Sequence, residues 1–176
     1  MRGEILKNMT REKEIDKIVV NIGVGRLSTQ PHFKDNVLPE IMKEAAIITG
    51  QKPAPRQTRK AIAGFKTRLG DVIGLQTTIR GKRMNDFLSR LVSLALPRVK
   101  DFRGIDLSNV DHGGNLNFGF KEQFSFPEIK IEESKVSFGI QVTIVPKVKN
   151  RDKAIDLYKS LGVPLKSSEG KDARKS

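Results

Sequence analysis

Residues 74–96 read GLQTTIRGKRMNDFLSRLVSLAL, and the hydrophobic period changes midway. Leu75, Thr77 and Ile79 alternate with Gln76, Thr78 and Arg80, which predicts a strand with one core face and one polar face. From Lys82 to Leu96, residues Met84, Phe87, Leu88, Leu91, Val92 and Ala95 recur at helical spacing, with Pro97 as the stop. A strand that keeps a polar face and runs straight into an amphipathic helix suits a sheet covered on one side only.

The flanking sequence repeats the pattern. Upstream, KIVVNIGVG (17–25) is rich in β-branched residues and reads as a buried strand. Val37–Thr49 has a helical period, with Asn36 as predicted N-cap, Pro39 in the first turn and Gly50 as the stop. Pro53 and Pro55 hold QKPAPRQT (51–58) extended. Downstream, NLNFGFKEQFSF (115–126) alternates Phe118 and Phe120 with polar neighbours and continues to Phe124 and Phe126. KVSFGIQVTIV (135–145) puts Val136, Phe138, Ile140, Val142 and Ile144 on one face. A last helix is predicted over 152–161, ended by Gly162. The order β-α-β-β-α-β-β-α predicts an α+β fold: a mostly antiparallel sheet with helices packed on one face and the other face free. The expected organisation is a charged N-terminal segment (1–14), a single domain (15–165) and a disordered basic tail (166–176).

Net charge is +13 and the pI about 10.1, a balance that favours a polyanionic partner. The chain has no cysteine and only two histidines, His32 and His112, which excludes disulfides and thiolate or histidine-rich metal sites. No apolar run approaches the roughly 20 residues of a membrane span. The N-terminal MRGEILKNMTREKEIDK has no apolar h-region and carries Glu4, Glu12 and Glu14, so it reads neither as a signal nor as a transit peptide; the expected location is the cytoplasm.

The positive charge is local. Between Gln51 and Arg83 lie Lys52, Arg56, Arg59, Lys60, Lys66, Arg68, Arg80, Lys82 and Arg83, against the single anion Asp71. That window holds +8 of the net +13. Its centre, RQTRKAIAGFKTRLGDVIG (56–74), has turn chemistry in Gly64, Gly70 and Gly74 and predicts a protruding basic loop. Cations that neutralise phosphates release condensed counterions, and arginine adds forked hydrogen bonds. A solvated face interleaves acids, and this window does not.

Other motifs are weaker. NIGVG lacks the third glycine of a dinucleotide loop, and GKR at 81–83 lacks the upstream glycine of a P-loop. FGFKEQF loosely resembles the aromatic strand of RNA-recognition domains, but phenylalanine at strand spacing is more often core. Asp101, Asp106 and Asp111 are scattered beside no nucleophile, so no catalytic residue, metal site or cofactor is predicted.

KIVVNIGVG, ITGQKPAPRQTRKAIAGFKTRLGDVIG, TIRGKRMNDFLSRL, LPRVKDFRGI and GNLNFGFKEQFSFPEI resemble, in order and spacing, the family of the fifth large-subunit ribosomal protein of bacteria, from about Lys17 to Leu165. The resemblance implies a structural, non-enzymatic protein, monomeric within the ribosome. It implies binding to 5S rRNA, attachment to 23S rRNA in the central protuberance of the 50S subunit, contact with P-site tRNA, and contact with a small-subunit head protein across an intersubunit bridge. The family's 5S-contacting polar residues fall on Asn21, Gln51 and Thr78; Lys52 and Arg80 join them as neighbouring cations. Arg56, Arg59, Lys60, Phe65, Lys66 and Arg68 become the tRNA- or RNA-contacting loop. Asparagine and glutamine amides donate and accept, so they suit base edges and 2′-hydroxyls alike.

Overall fold

Every second residue of the central strand is apolar and buried, and that strand organises the molecule. The computed structural model describes residues 14–29, 31–65 and 67–166. Strand β1 (Ile15–Gly23) buries Ile18, Val20 and Ile22 and leaves Lys17, Val19, Asn21 and Gly23 toward the other side. It sits between β3 (Val72–Ile79) and β5 (Ile140–Pro146); β2 (Ala54–Gln57) and β4 (Leu116–Phe120) form the edges. The order β2-β3-β1-β5-β4 is antiparallel throughout.

Helices α1 (Leu38–Thr49), α2 (Gly81–Arg90) and α3 (Arg151–Ser160) add to one core with the buried sheet face. The α+β fold and its β-α-β-β-α-β-β-α order are as the sequence predicts. In the core, Phe126 lies 5.2 Å from Phe120 edge-on and 6.1 Å from Phe87, centroid to centroid. Tyr158 is fully buried and its hydroxyl lies 2.7 Å from Gly114 O and 3.1 Å from Ile144 O, pinning α3 to the sheet. Burial pushes its phenol pKa up.

Two glycines with positive φ mark helix boundaries. Gly50 ends α1 at a φ of 68° and donates to Ala46 O, and Gly81 turns β3 into α2 at a φ of 61°.

Several boundaries differ from expectation. Asn36 is not the N-cap of α1: residues Phe33–Val37 already wind as a wide turn, Leu38 N–H donates to Phe33 O, and Val37 leads helically into α1 without a side-chain cap. The helical path after α2 runs past Pro97 to Arg98, because a tight turn beginning at Leu96 accepts proline in its first positions. Phe124 and Phe126 belong to a short turn, Gln123–Ser125 and its cap, not to β4. Strand β5 starts at Ile140 rather than 135, because Gln123 takes the backbone of 136–138 for itself. Gln123 donates to Val136 O at 2.6 Å and accepts from Phe138 N at 3.0 Å; it also reaches Ser134 Oγ at 3.1 Å and Glu44 Oε2 at 3.3 Å. This buried amide ties the β4–β5 connection to α1. The charged N-terminal segment, apart from Glu14, and the tail beyond Lys166 lie outside the described residues. Lys166 itself donates its backbone N–H to Ile105 O at 2.9 Å.

Candidate nucleic-acid interface

The helix-free face of the sheet is a polar carpet. Register places Asn21 of β1 opposite Gln76 of β3 on one side and Gln141 of β5 on the other. One step along, Val19 lies between Thr78 and Thr143, and Thr143 pairs with Asn117 of β4 and donates to its Oδ1 at 2.8 Å. Residues Lys17, Asn21, Arg56, Gln76, Thr78, Asn117, Gln141 and Thr143 share this face, and none is acidic. The side chains of Asn21 and Gln141 have no hydrogen-bond partner among the described residues. A row of neutral amides across three strands contributes nothing to the core, and the donors and acceptors of Asn21 and Gln141 remain available to a ligand.

Arg56 stands on β2, on this face. Its Nε donates to Gln76 Oε1 at 2.7 Å and its Nη2 donates to the same oxygen. The structure therefore groups Arg56 with Asn21 and Gln76 rather than with the basic loop, where sequence order puts it. Gln51 and Lys52 lead into β2 from the C-terminus of α1. Thr49 Oγ1 lies 2.7 Å from Ala45 O and 2.8 Å from Gln51 O, and its one O–H serves either carbonyl, which fixes the turn that presents Gln51. Thr78 is exposed, diagonal to Asn21. Arg80 is engaged: its Nη1 lies 2.7 Å from Asp16 Oδ1 in an exposed ion pair. Counting charges within the 51–83 window misses this neutralising acid, because Asp16 reaches Arg80 only through the β1–β3 pairing.

Residues 58–71 form the second cationic feature, a closed loop projecting between β2 and β3. Its neck is hydrogen-bonded: Thr58 N donates to Asp71 O at 2.9 Å and Gly70 N to Thr58 O at 3.1 Å, while Ile62 and Thr67 bridge across it. Asp71 Oδ2 accepts from Arg68 N at 2.8 Å. The window's only anion thus organises the loop backbone. Arg59, Lys60 and Arg68 are exposed. Phe65 lies in the tip turn Ala63–Phe65, and Lys66 lies outside the described residues. Ile62 and Leu69, which sequence reasoning did not single out, are 50% and 72% exposed on the same loop. Lys82 and Arg83 open α2, whose first turn holds no acid.

Among the described residues no group of three or more His, Asp or Glu could hold a metal, and no helix is long and apolar enough to cross a membrane. Phe118 and Phe120 alternate onto the core face, so the FGF strand offers no aromatic platform for bases. Asp111, in the turn after Val110, accepts from Asn115 Nδ2 and Asn115 N, each at 2.8 Å. Burial is the largest single influence and opposes its ionisation, but the hydrogen bonds from Asn115 and Gly113 and the nearby His112 together outweigh it and hold the carboxyl below the ordinary range. It stabilises the turn.

Fold and surface together define a class: an α+β domain with a free polar sheet face and a braced cationic loop. Comparison with known proteins gives the family. Residues 8–68 match the family described as Ribosomal protein L5, and residues 72–165 match the C-terminal part of that same ribosomal family. Large ribosomal subunit protein uL5 of Syntrophomonas wolfei is 43% identical over 159 residues, 90% of this chain and 87% of that protein. Its counterpart in Dictyoglomus turgidum is 44% identical over 166 residues, 94% of this chain and 90% of that protein. Large ribosomal subunit protein uL5c of Gracilaria tenuistipitata is 44% identical over 159 residues, again 90% of this chain and 87% of that protein. The chain belongs to the ribosomal protein L5 family, a family of large-subunit ribosomal proteins that are structural and not enzymes. The two matched segments share one sheet: β1 from the first is flanked on both sides by strands of the second.

Proposed function

We propose that the protein binds 5S rRNA through the open sheet face and helps hold that RNA against 23S rRNA in the central protuberance. On this reading Asn21, Gln51 and Thr78 make the polar contacts, and Lys52, Arg56 and Arg80 pair with phosphates. Loop 58–71 contacts P-site tRNA through Arg59, Lys60, Phe65, Lys66 and Arg68, and a further surface meets a small-subunit head protein. Residues 15–165 act as one RNA-binding unit, with the flanking segments as charged extensions.

One observation carries the reading. Asn21, Gln76 and Gln141 stand in register on three adjacent strands, beside Arg56 and without an acid. Amides supply hydrogen bonds that distinguish one RNA surface from another, while the cations supply affinity that any polyanion would share. Irregular, folded RNA fits such a surface through its shape and 2′-hydroxyls.

The test is filter binding of the purified protein to 5S rRNA. Asn21→Ala is expected to lose about 1 kcal/mol, one net hydrogen bond, with unchanged thermal stability. Equal affinity of parent and variant removes Asn21 from the site.

A further inference from the structure

The open face carries a trough of about 500 Å³, and four of its twelve lining residues are glycine. Gly23, Gly74, Gly119 and Gly139 line it together with the polar residues Asn21, Gln141 and Arg56. Gly23 and Gly74 are direct partners across β1 and β3, and Gly119 lies opposite Gln141 across β4 and β5.

The fold does not require glycine at most of these positions. None of the four has a positive φ. A Cβ on Gly23 would meet nothing within 4 Å, one on Gly119 would lie 3.6 Å from Ile140 O, and one on Gly74 would lie 3.4 Å from Ile22 O. Only Gly139 is tight, at 3.3 Å from Phe120 O. Glycine within a strand weakens it, because it adds chain entropy and removes a packing group. Strands β1, β3 and β4 accept that cost on the same face and around the same depression. Close approach by another molecule's backbone accounts for the pattern.

We infer that this trough seats the sugar–phosphate ridge of one RNA strand, and that Gly23, Gly74 and Gly119 determine specificity by keeping the trough open. The inference rests on the RNA-binding reading above and assigns it a seat. Phe120, the aromatic residue among those lining the trough, is buried in the core at 5% exposure, so its ring offers no stacking surface for a base. The lining offers two free amides and a guanidinium. A ribose 2′-hydroxyl donates and accepts, which matches Asn21 and Gln141, and a phosphate oxygen accepts, which matches Arg56. DNA lacks the hydroxyl, so the same lining discriminates between the two polymers.

The experiment uses the full chain, Gly23→Val, Gly119→Val and the double variant, each measured for melting temperature and for affinity to 5S rRNA. The second probe is the same transcript made with 2′-fluoropyrimidines. β-Branched residues favour strands, so the variants are expected to melt at or above the parental temperature. Gly23→Ala and Gly119→Ala serve as smaller fillers if valine lowers it. The filled variants are expected to bind 5S rRNA about tenfold more weakly, the equivalent of one charge-assisted hydrogen bond. The parent is expected to bind the fluorinated transcript more weakly than the native one, and the double variant to lose that preference. Folded variants with parental affinity would overturn the trough assignment while leaving the RNA-binding reading intact. A parent protein that ignores 5S rRNA would overturn the RNA-binding reading itself.

Discussion

Replacing Gln123 with alanine should be the most damaging single polar substitution in the chain. Its amide is fully buried. Its Nε2, with two N–H groups, donates to Val136 O and shares its second hydrogen between Ser134 Oγ and Glu44 Oε2, and its oxygen accepts from Phe138 N. Truncation strands the Phe138 N–H and takes a partner from the Glu44 carboxylate, which is only 8% exposed. It also frees the Val136 carbonyl, which Ser134 Oγ still reaches at 3.1 Å. Each stranded buried group costs about 1–3 kcal/mol, and the vacated volume adds to this. Discounting Val136 and Glu44, the stranded Phe138 N–H and the vacated volume leave a loss of about 2–4 kcal/mol. At this chain length that lowers the melting temperature by about 10 °C. Urea unfolding followed by circular dichroism gives the number directly. Ser134→Ala is the control: it leaves the Gln123–Val136 and Gln123–Phe138 bonds in place and should cost under about 1 kcal/mol. A Gln123→Ala loss below about 1 kcal/mol would refute the claim that this amide staples residues 123–138 to α1.

Other consequences follow the same logic. Tyr158 has a folded pKa raised above its unfolded value near 10, so the stability it contributes is complete below pH 10 and falls as pH rises beyond it. The stability gap between parent and Tyr158→Phe, measured by urea unfolding from about pH 8 to 11, should be about 1–2 kcal/mol at first and narrow above about pH 10; a constant gap contradicts this. Asp16→Ala releases Arg80 from an exposed ion pair; stability should change by less than about 1 kcal/mol while RNA affinity rises, and a fall in affinity would show that Arg80 does not meet RNA. Lys66→Ala with Arg68→Ala should flatten the log-affinity against log-salt slope by about 0.7–0.9 for each phosphate no longer neutralised, and an unchanged slope would reject the loop assignment.

Much of the architecture is legible in the sequence because one face of the sheet is apolar. Ile18, Val20 and Ile22, or Leu75, Thr77 and Ile79, alternate strictly, so periodicity reveals both the strands and their free face. The boundaries that resisted are those set by distant partners. Nothing local in KVSFGIQVTIV says that Gln123 will claim the backbone at 136 and 138. At the surface, charge was readable but grouping was not. Asn21 and Thr78 stand out as polar residues on strands. Gln141, Gln76 and Asn117 join them only once register is known, as does the Asp16 partner of Arg80. The glycine lining is assembled from four separate segments, and in sequence each glycine reads as an ordinary turn or bulge residue.

The most direct test of the RNA-binding account is a gel shift of the purified protein with 5S rRNA and with an unrelated RNA of equal length, across a salt series. At ~50 mM salt a 5S complex should form, weaken steeply as salt rises, and remain at least about tenfold tighter than the unrelated complex at each concentration where both are measurable. Equal affinity for the two RNAs, or no 5S complex at low salt, would contradict it.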